Sequence, residues 1–398
     1  MKISIFYIGD FPEGSIGAPR VKLYAKGLKE RGYEIEVLLL HAAYINGERI
    51  NTQVEGNFEG IYFKFLNGNP NRPDVIIFKV FDTLKGMWGA VKYMIKNRKK
   101  IALVFLYFPN ILKVFPIVLI AKYLSIPIIM EQVELRSLLI KKNSLENIIF
   151  RMDNLITERF AYKFCNHLFV ISNYLFSHYS EKFPKDRLSL IPIFVDMERF
   201  KVKPYYKSFR IGYLGSFAPK DEVSGIVRAF SRAIKKLPGL KLRLIGNIKD
   251  YQIKELKNIA LVNNVDENLI EFTGRVLDEE IPRLLAECDL LVINRNRLKY
   301  SYFGFPNKLG EYLATGIPVI ATKIGDIEKY LTDGKDAILI EPEDELELAE
   351  KILIRYMEYD KYTNIGRMGK ETCKKYFDYK KIMKEVDIII KRLIEDKK

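Results

Sequence analysis

Apolar residues fall along this chain in short runs, separated by amphipathic stretches. Residues 2–8 form a mostly apolar run that reads as a strand. In 20–31, Val21, Tyr24, Ala25 and Leu28 repeat at i, i+3, i+4 and i+7, the spacing of one helix face. Gly32 stops that helix and 34–40 reads as a second strand. The unit is βαβ, which requires a parallel sheet with a right-handed crossover. Residues 61–66 are a further strand. Residues 81–100 predict a basic amphipathic helix, with Trp88, Val91 and Ile95 on one face and Lys85, Lys92, Lys96 and Lys99 on another. Such a helix either lies on an anionic bilayer or packs its apolar face on the sheet and solvates its lysines. Residues 101–130 are very apolar, but Pro109, Lys113, Pro116, Lys122 and Pro127 interrupt them. No run there approaches the ~20 residues of a spanning helix. The segment reads as strand, helix, strand.

A polar stretch (131–136), a long helix (144–164), a strand (167–172) and a short helix (173–179) follow. Residues 188–200 hold the last strand of the first half and then leave it. Residues 201–207 are polar with Pro204 and read as a linker. The alternation then restarts: strands at 210–214, 241–245, 269–273 and 290–293, with helices at 223–236, 251–263 and 278–287 between them. Residues 337–340 are a strand, and Glu343, Asp344 and Glu345 place acids at a helix N-terminus, where the dipole favours them. Residues 379–398 predict a long amphipathic helix. The architecture is α/β, two doubly wound halves, and ligands of such sheets bind beyond the carboxyl ends of the strands.

The stretch 303–326, FGFPNKLGEYLATGIPVIATKIGD, holds the densest chemistry. Pro306 suits the first position of a helix and Gly316 with Pro318 ends it. Phe305 before it carries no capping oxygen, so the first-turn N–H groups form a ready anion site. Asn307, Lys308 and Glu311 share one face, while Leu309, Tyr312 and Leu313 share the other. One reading gives a ligand a cation and a carboxylate; the other makes Lys308 and Glu311 a surface ion pair.

The 398 residues suit two or three domains, and 48% hydrophobic with 29% charged residues excludes disorder. A net charge of +15 fits anionic partners, among them a nucleotide diphosphate, nucleic acid or an acidic membrane face, and fits a lysine-rich solvated surface equally. Cys165, Cys288 and Cys373 are far apart and odd in number, which points to a reducing cytosol. The N-terminus has no signal-peptide layout. His41, His167 and His178 lack metal-ligand spacing, and neither a dinucleotide fingerprint nor a G-x-S-x-G elbow is present.

The stretch 303–322 resembles the nucleotide-binding signature of glycosyltransferase family 4, retaining enzymes of the GT-B type. Glu311-Tyr312-Leu313-Ala314-Thr315-Gly316-Ile317-Pro318-Val319 matches the second half of its E-x7-E signature, and Pro306, Lys308 and Glu311 match its P-x-K-x-x-E variant. Residues 20–40, the segment from Ile191 to Phe200, and Phe272–Val276 are similar to flanking family segments. The resemblance implies two Rossmann-like domains facing across a cleft: 1–200 for the acceptor, linker 201–207, 208–376 for the nucleotide sugar, and a helix at 377–398 that packs back on the first domain.

The resemblance also implies roles. Glu311 accepts hydrogen bonds from the ribose hydroxyls. Lys308 and the N–H groups near Asn307 face the diphosphate, with Lys220 as a further catalytic cation. Gly215, Ser216, Arg275, Val276, Arg295, Gly304, Phe305, Pro306, Asn307 and Leu309 line the donor. Gly14, Ser15, Gly17, Arg20 and Glu131 form the acceptor and phosphate loop. The pattern departs from the family at three places: Phe303 replaces the first Glu, Ser216 stands where an Arg is common, and Asp221 occupies the usual Lys position. Arg295 or Arg297 is a candidate for the missing charge. No D-x-D motif appears in the cleft stretches, which fits a metal-independent class without cofactor. The expected activity is transfer from a UDP-sugar, or next a GDP-sugar, to a glycan or lipid-linked hydroxyl in cell-surface polysaccharide biosynthesis. The expected place is the cytoplasm, peripheral at the inner membrane face. The alternatives are a catalytically inactive nucleotide-binding scaffold and, from charge alone, a nucleic-acid binder.

Overall fold

The computed structural model describes residues 1–14, 17–43, 51–135, 138, 145–202 and 209–396. They divide into two compact units, Met1–Pro192 with Tyr379–Lys398, and Ile193–Asp378. Much of the 201–207 segment lies outside the described residues. The division falls between Pro192 and Ile193, ahead of residue 200, because the residues after Pro192 already pack in the second unit. There the Val195 N–H donates to Phe377 O, and Arg199 is 2.9 Å from Asp278.

The first unit is built on an eight-stranded sheet. Its elements are β1 (Lys2–Tyr7), α1 (Ala18–Lys29), β2 (Glu34–Leu39), β3 (Glu55–Phe58), β4 (Ile61–Phe65), α2 (Ile76–Asn97), β5 (Ile101–Tyr107), α3 (Ile111–Tyr123), β6 (Ile128–Gln132), α4 (Leu145–Phe160), β7 (His167–Val170), α5 (Asn173–Ser180) and β8 (Leu188–Leu190). The strand order is β3-β4-β2-β1-β5-β6-β7-β8. All pairings are parallel except the β3–β4 hairpin. The central strands are buried on both faces, as a parallel sheet covered by helices requires.

The second unit holds β9 (Arg210–Leu214), α6 (Val223–Ala233), β10 (Lys241–Ile245), α7 (Asp250–Val262), β11 (Ile270–Gly274), α8 (Ile281–Ala286), β12 (Leu290–Ile293), α9 (Lys299–Phe303), α10 (Asn307–Thr315), β13 (Val319–Thr322), α11 (Ile327–Tyr330), β14 (Ile338–Ile340), α12 (Glu345–Met357) and α13 (Tyr359–Tyr376). Its sheet is fully parallel, in the order β11-β10-β9-β12-β13-β14. The order reverses between β9 and β12, so the loops after those two strands meet at the switch point. The chain then returns to the first unit as α14 (Tyr379–Glu395). There Tyr33 donates to Asp387 (2.7 Å) and Tyr379 to Glu30 (2.8 Å), anchoring α14 on the end of α1.

Two sequence expectations change. Pro306 is the residue before α10, with extended ψ of 111°, rather than its first helical residue. Helix α2 starts at Ile76, ahead of residue 81, and it does not pack Trp88 and Ile95 on the sheet: both are exposed. Its buried positions are Asp82, Gly86, Ala90 and Met94. A Cβ at Gly86 would sit 1.9 Å from Leu40 O, and one at Gly89 2.1 Å from Leu66 O. The small residues let the helix press on the backbone at the ends of β2 and β4, and that turns the large apolar side chains outward.

Candidate functional site

Helix α10 projects its two chemical groups from half-buried positions, while Leu309, Tyr312 and Leu313 behind them are buried. Gly316 closes it in the left-handed region at φ 79°. Among the described residues no side chain caps its N-terminus. Tyr312 fixes the helix to the end of β9: its hydroxyl accepts from the Leu214 N–H at 2.6 Å. The approach to α10 is fixed as well. Arg295, fully buried after β12, donates to Gly304 O at 2.9 Å, and its own N–H donates to Thr322. Phe305 stacks on Tyr330 and meets Phe377 edge-on. The side chains of Phe305 and Leu309 are therefore core, and only their backbone is left for a ligand.

Lys308 does not pair with Glu311. Its ammonium lies 3.0 Å from Asp221 Oδ2 and 4.5 Å from the centre of the Tyr213 ring. Tyr213 in turn donates to Asp221 at 2.9 Å. A Cβ on Gly215 would come within 2.2 Å of the Tyr213 hydroxyl and 2.8 Å of the Lys308 nitrogen, so the missing side chain at 215 makes the space they occupy. Burial pushes the Lys308 ammonium below its ordinary value, and Asp221 only partly offsets it. Burial also pushes the Asp221 carboxyl up, but the attraction of Lys308 outweighs it and holds the group below its usual range.

Glu311 is the opposite case. Among the described residues none donates a hydrogen bond to its carboxylate or forms an ion pair with it. Burial raises it to about 7, with Arg199 and Lys308 pulling it down and Asp278 pushing it up. A half-buried carboxylate left without donors is a costly feature for a fold alone. It is suited to a ligand that brings hydroxyl donors.

The other expected donor residues lie around this helix to different degrees. Lys220 lies over the Tyr300 ring, and its carbonyl accepts from the Asn296 N–H. Ser216 and Asn307 are exposed. Arg275 is exposed and Val276 half-buried after β11, beside Gly274 at φ 68°. Arg297 turns away toward Glu341 at 3.6 Å, in a shallow depression shared with Asp344 at the start of α12, where the acids repel a diphosphate. Arg295 remains as the nearer cation, since its charge reaches both Lys308 and Asp221. Tyr213, Asp221, Arg199 and Asp278 were not legible as site residues; Asp221 had shown itself only as an acid where a lysine is usual.

In the first unit, Gly14 has φ 115° and Ser15 lies outside the described residues. A Cβ on Gly17 would meet the Tyr7 hydroxyl at 2.8 Å. Arg20 and Glu131 do come together, as an internal clamp. Arg20 donates to Glu131 Oε1 at 2.6 Å and to the carbonyls of Ile191 and Pro192, and Tyr24 donates to the same carboxylate oxygen at 2.7 Å. Both residues are fully buried. His41 is buried with Nδ1 on Ala42 O, and burial and Lys113 hold it neutral. Among the described residues no group of three His, Cys, Asp or Glu side chains is placed to hold a metal ion.

Comparison with known proteins bears on the fold and on the second unit. Residues 208–356 match the family model described as glycosyl transferases group 1. An uncharacterized glycosyltransferase of Methanocaldococcus jannaschii is 30% identical over 165 residues, 41% of this chain and 43% of that protein. The chain spans less than half the length of the curated relatives it matches. Sucrose-phosphate synthase from Thermosynechococcus elongatus superposes with a TM-score of 0.78 at 15% identity, covering 99% of both chains. Anabaena HepE, solved in complex with UDP and glucose, gives 0.72 at 17% identity over 98% of this chain and 100% of its own. Residues 208–356 are thus similar to the glycosyl transferases group 1 family, and the chain has the GT-B fold.

Proposed function

We propose that this chain is a retaining glycosyltransferase. Its donor is a nucleotide-diphosphate sugar, UDP-sugar first and GDP-sugar next. Its acceptor is a hydroxyl of a glycan or lipid-linked molecule in cell-surface polysaccharide biosynthesis, reached at the cytoplasmic face of an anionic membrane. The observation that carries the reading is α10, which offers an uncapped N-terminus, the oriented cation of Lys308 and the unsatisfied carboxylate of Glu311. Glu311 accepts from the two ribose hydroxyls. Lys308 and the first-turn N–H groups take the diphosphate, with Arg295 and Lys220 adding positive potential. The bond between the sugar C1 and the phosphate oxygen breaks, and negative charge develops on that oxygen beside the cations. The acceptor oxygen bonds to C1 from the same side, and its proton passes to the leaving phosphate. No protein base is then needed, which accords with Glu131 being sealed in its clamp. The UDP in the HepE complex supports uracil as the first base to try.

The test is a thermal-shift series with UDP, GDP, ADP, CMP and dTDP, with and without EDTA. A stabilisation that grows with one diphosphate and survives EDTA is the expected result. No shift with any nucleotide sinks the reading. A second reading, a nucleotide-binding scaffold without turnover, is favoured by Phe303 in the place of the usual acid and by Ser216. It predicts the same shift but no release of the nucleoside diphosphate from any sugar donor, with or without acceptor.

A further inference from the structure

Helix α2 presents a continuous apolar stripe to solvent. Ile77, Phe81, Leu84, Trp88 and Ile95 follow one another at helical spacing, and Phe81 and Trp88 are 62% and 61% exposed. The inner face is fully accounted for: Gly86 and Gly89 touch backbone, Tyr93 donates to Glu36, and Asp82 takes Arg72 and Asn67. The stripe is therefore not core that failed to pack. Helix α3, packed beside α2, adds exposed Leu112, Phe115, Leu119 and Tyr123. A monomeric soluble surface seldom carries so many large apolar side chains together.

The charges choose the occupant. Lys85, Lys92 and Lys96 run along one edge of the α2 stripe, Lys99 follows its end, and α3 adds the exposed Lys122. The only acid in either helix is Asp82, on the inner face. A second copy docked here would set one lysine row against another. An anionic bilayer meets both features at once: side chains such as Phe81 and Trp88 enter the acyl boundary while the lysines reach the headgroups. Lys92 already lies over the Trp88 ring, 5.2 Å from its centre. Among the described residues no helix is long and apolar enough to cross a membrane, so the contact is interfacial.

We propose that the outer face of α2 and α3 docks the protein on an anionic phospholipid bilayer, with Trp88 at the centre of the inserted stripe. This deepens the membrane contact of the proposed function and rests on that reading only there. Lipid binding is measured without donor or acceptor, so its failure and a failure of sugar transfer are distinguishable. Trp88 is the chain's one tryptophan, so its fluorescence reports this face directly.

The experiment titrates the full chain with vesicles of phosphatidylcholine alone and of phosphatidylcholine mixed with phosphatidylglycerol. Emission and co-sedimentation are followed at low and high salt. The expected result is a blue shift and sedimentation with the anionic vesicles only, weakened by salt. Phe81→Ser with Leu84→Ser should lower vesicle affinity about tenfold or more, while the thermal shift with nucleotide stays as in the parent. Absence of a blue shift with anionic vesicles overturns the proposal, as does sedimentation without one, which would mean binding through another face. A lipid-independent blue shift that rises with protein concentration, together with a doubled mass, would show the face to be a self-interface and overturn it too.

Discussion

The Lys308 ammonium is held against the Asp221 carboxylate at 3.0 Å, two groups brought together from α10 and the loop after β9. Asp221 stands where the resemblance places a lysine, and the Lys308 ammonium lies beside it. Removing one partner of a buried pair leaves an uncompensated charge, which costs about 3–5 kcal/mol. Lys308→Met alone should therefore destabilise the chain by about that much and weaken UDP binding about tenfold. Adding Asp221→Asn should recover most of the stability and none of the affinity. Denaturant titrations and nucleotide titrations of the three variants check this. Recovery of both would make Lys308 a purely structural partner.

Glu311 gives a pH dependence with a definite sign. Its folded value of about 7 lies above its ordinary 4.5, so the native state holds the proton more tightly than the unfolded chain. Stability from this group is full below about 4.5 and is lost as the pH rises to about 7. Glu311→Gln should accordingly raise stability at pH 8 by about 1–3 kcal/mol. Nucleotide binding runs the other way, because ribose hydroxyls need the ionised acceptor. Affinity should be about tenfold weaker at pH 6 than at pH 8. In Glu311→Gln the dependence should flatten at a uniformly weak level. Calorimetric titration across that range decides the matter, and an unchanged pH profile in the variant would place the titrating group elsewhere.

The alternation of strands and helices was legible because parallel strands buried on both faces read as unbroken apolar runs. The hairpin strand Glu55–Phe58 escaped because EGNF carries no such run. Helix α13 escaped because its buried face mixes Tyr362 and Ile365 with Gly366, Gly369 and Cys373, which breaks the apolar periodicity: a Cβ at Gly366 would meet Gly316 O at 2.3 Å. For α2 the helix was legible and its orientation was not, since the glycines that decide which face packs are silent in a hydrophobic pattern. Glu311 and Lys308 could be singled out from motif and spacing. Their partners could not, because Asp221, Tyr213 and Arg199 reach α10 only through the fold.

The Arg20–Glu131 clamp is an internal ion pair that a sequence reading places in a loop. It ties α1 to β6 and to the carbonyls that end the first sheet. Glu131→Gln should cost about 3–5 kcal/mol, since Arg20 would keep its charge in a buried site. Arg20→Met with Glu131→Leu should cost much less. Denaturant unfolding of the two variants checks the order. A small effect of Glu131→Gln would mean that water reaches the clamp.

Gly215 tests the site without removing any of its charges. A Cβ there would lie 2.2 Å from the Tyr213 hydroxyl and 2.8 Å from the Lys308 nitrogen, so Gly215→Ala forces both to move. Tyr213 is a buried ring whose hydroxyl is bonded to Asp221, whereas Lys308 ends a flexible chain. The ammonium yields easily, but the ring must shift too, and Asp221 is bonded to both, so Lys308 should lose its alignment toward the open end of α10. The expected outcome is a loss of UDP affinity of about tenfold with a loss of stability of about 1–3 kcal/mol from overpacking. Affinity for uridine, which lacks the phosphates, should be unchanged because Glu311 is untouched. Parallel titrations with UDP and uridine separate these effects, and an equal loss for both ligands would mean that Gly215 shapes the nucleoside pocket rather than the diphosphate cation.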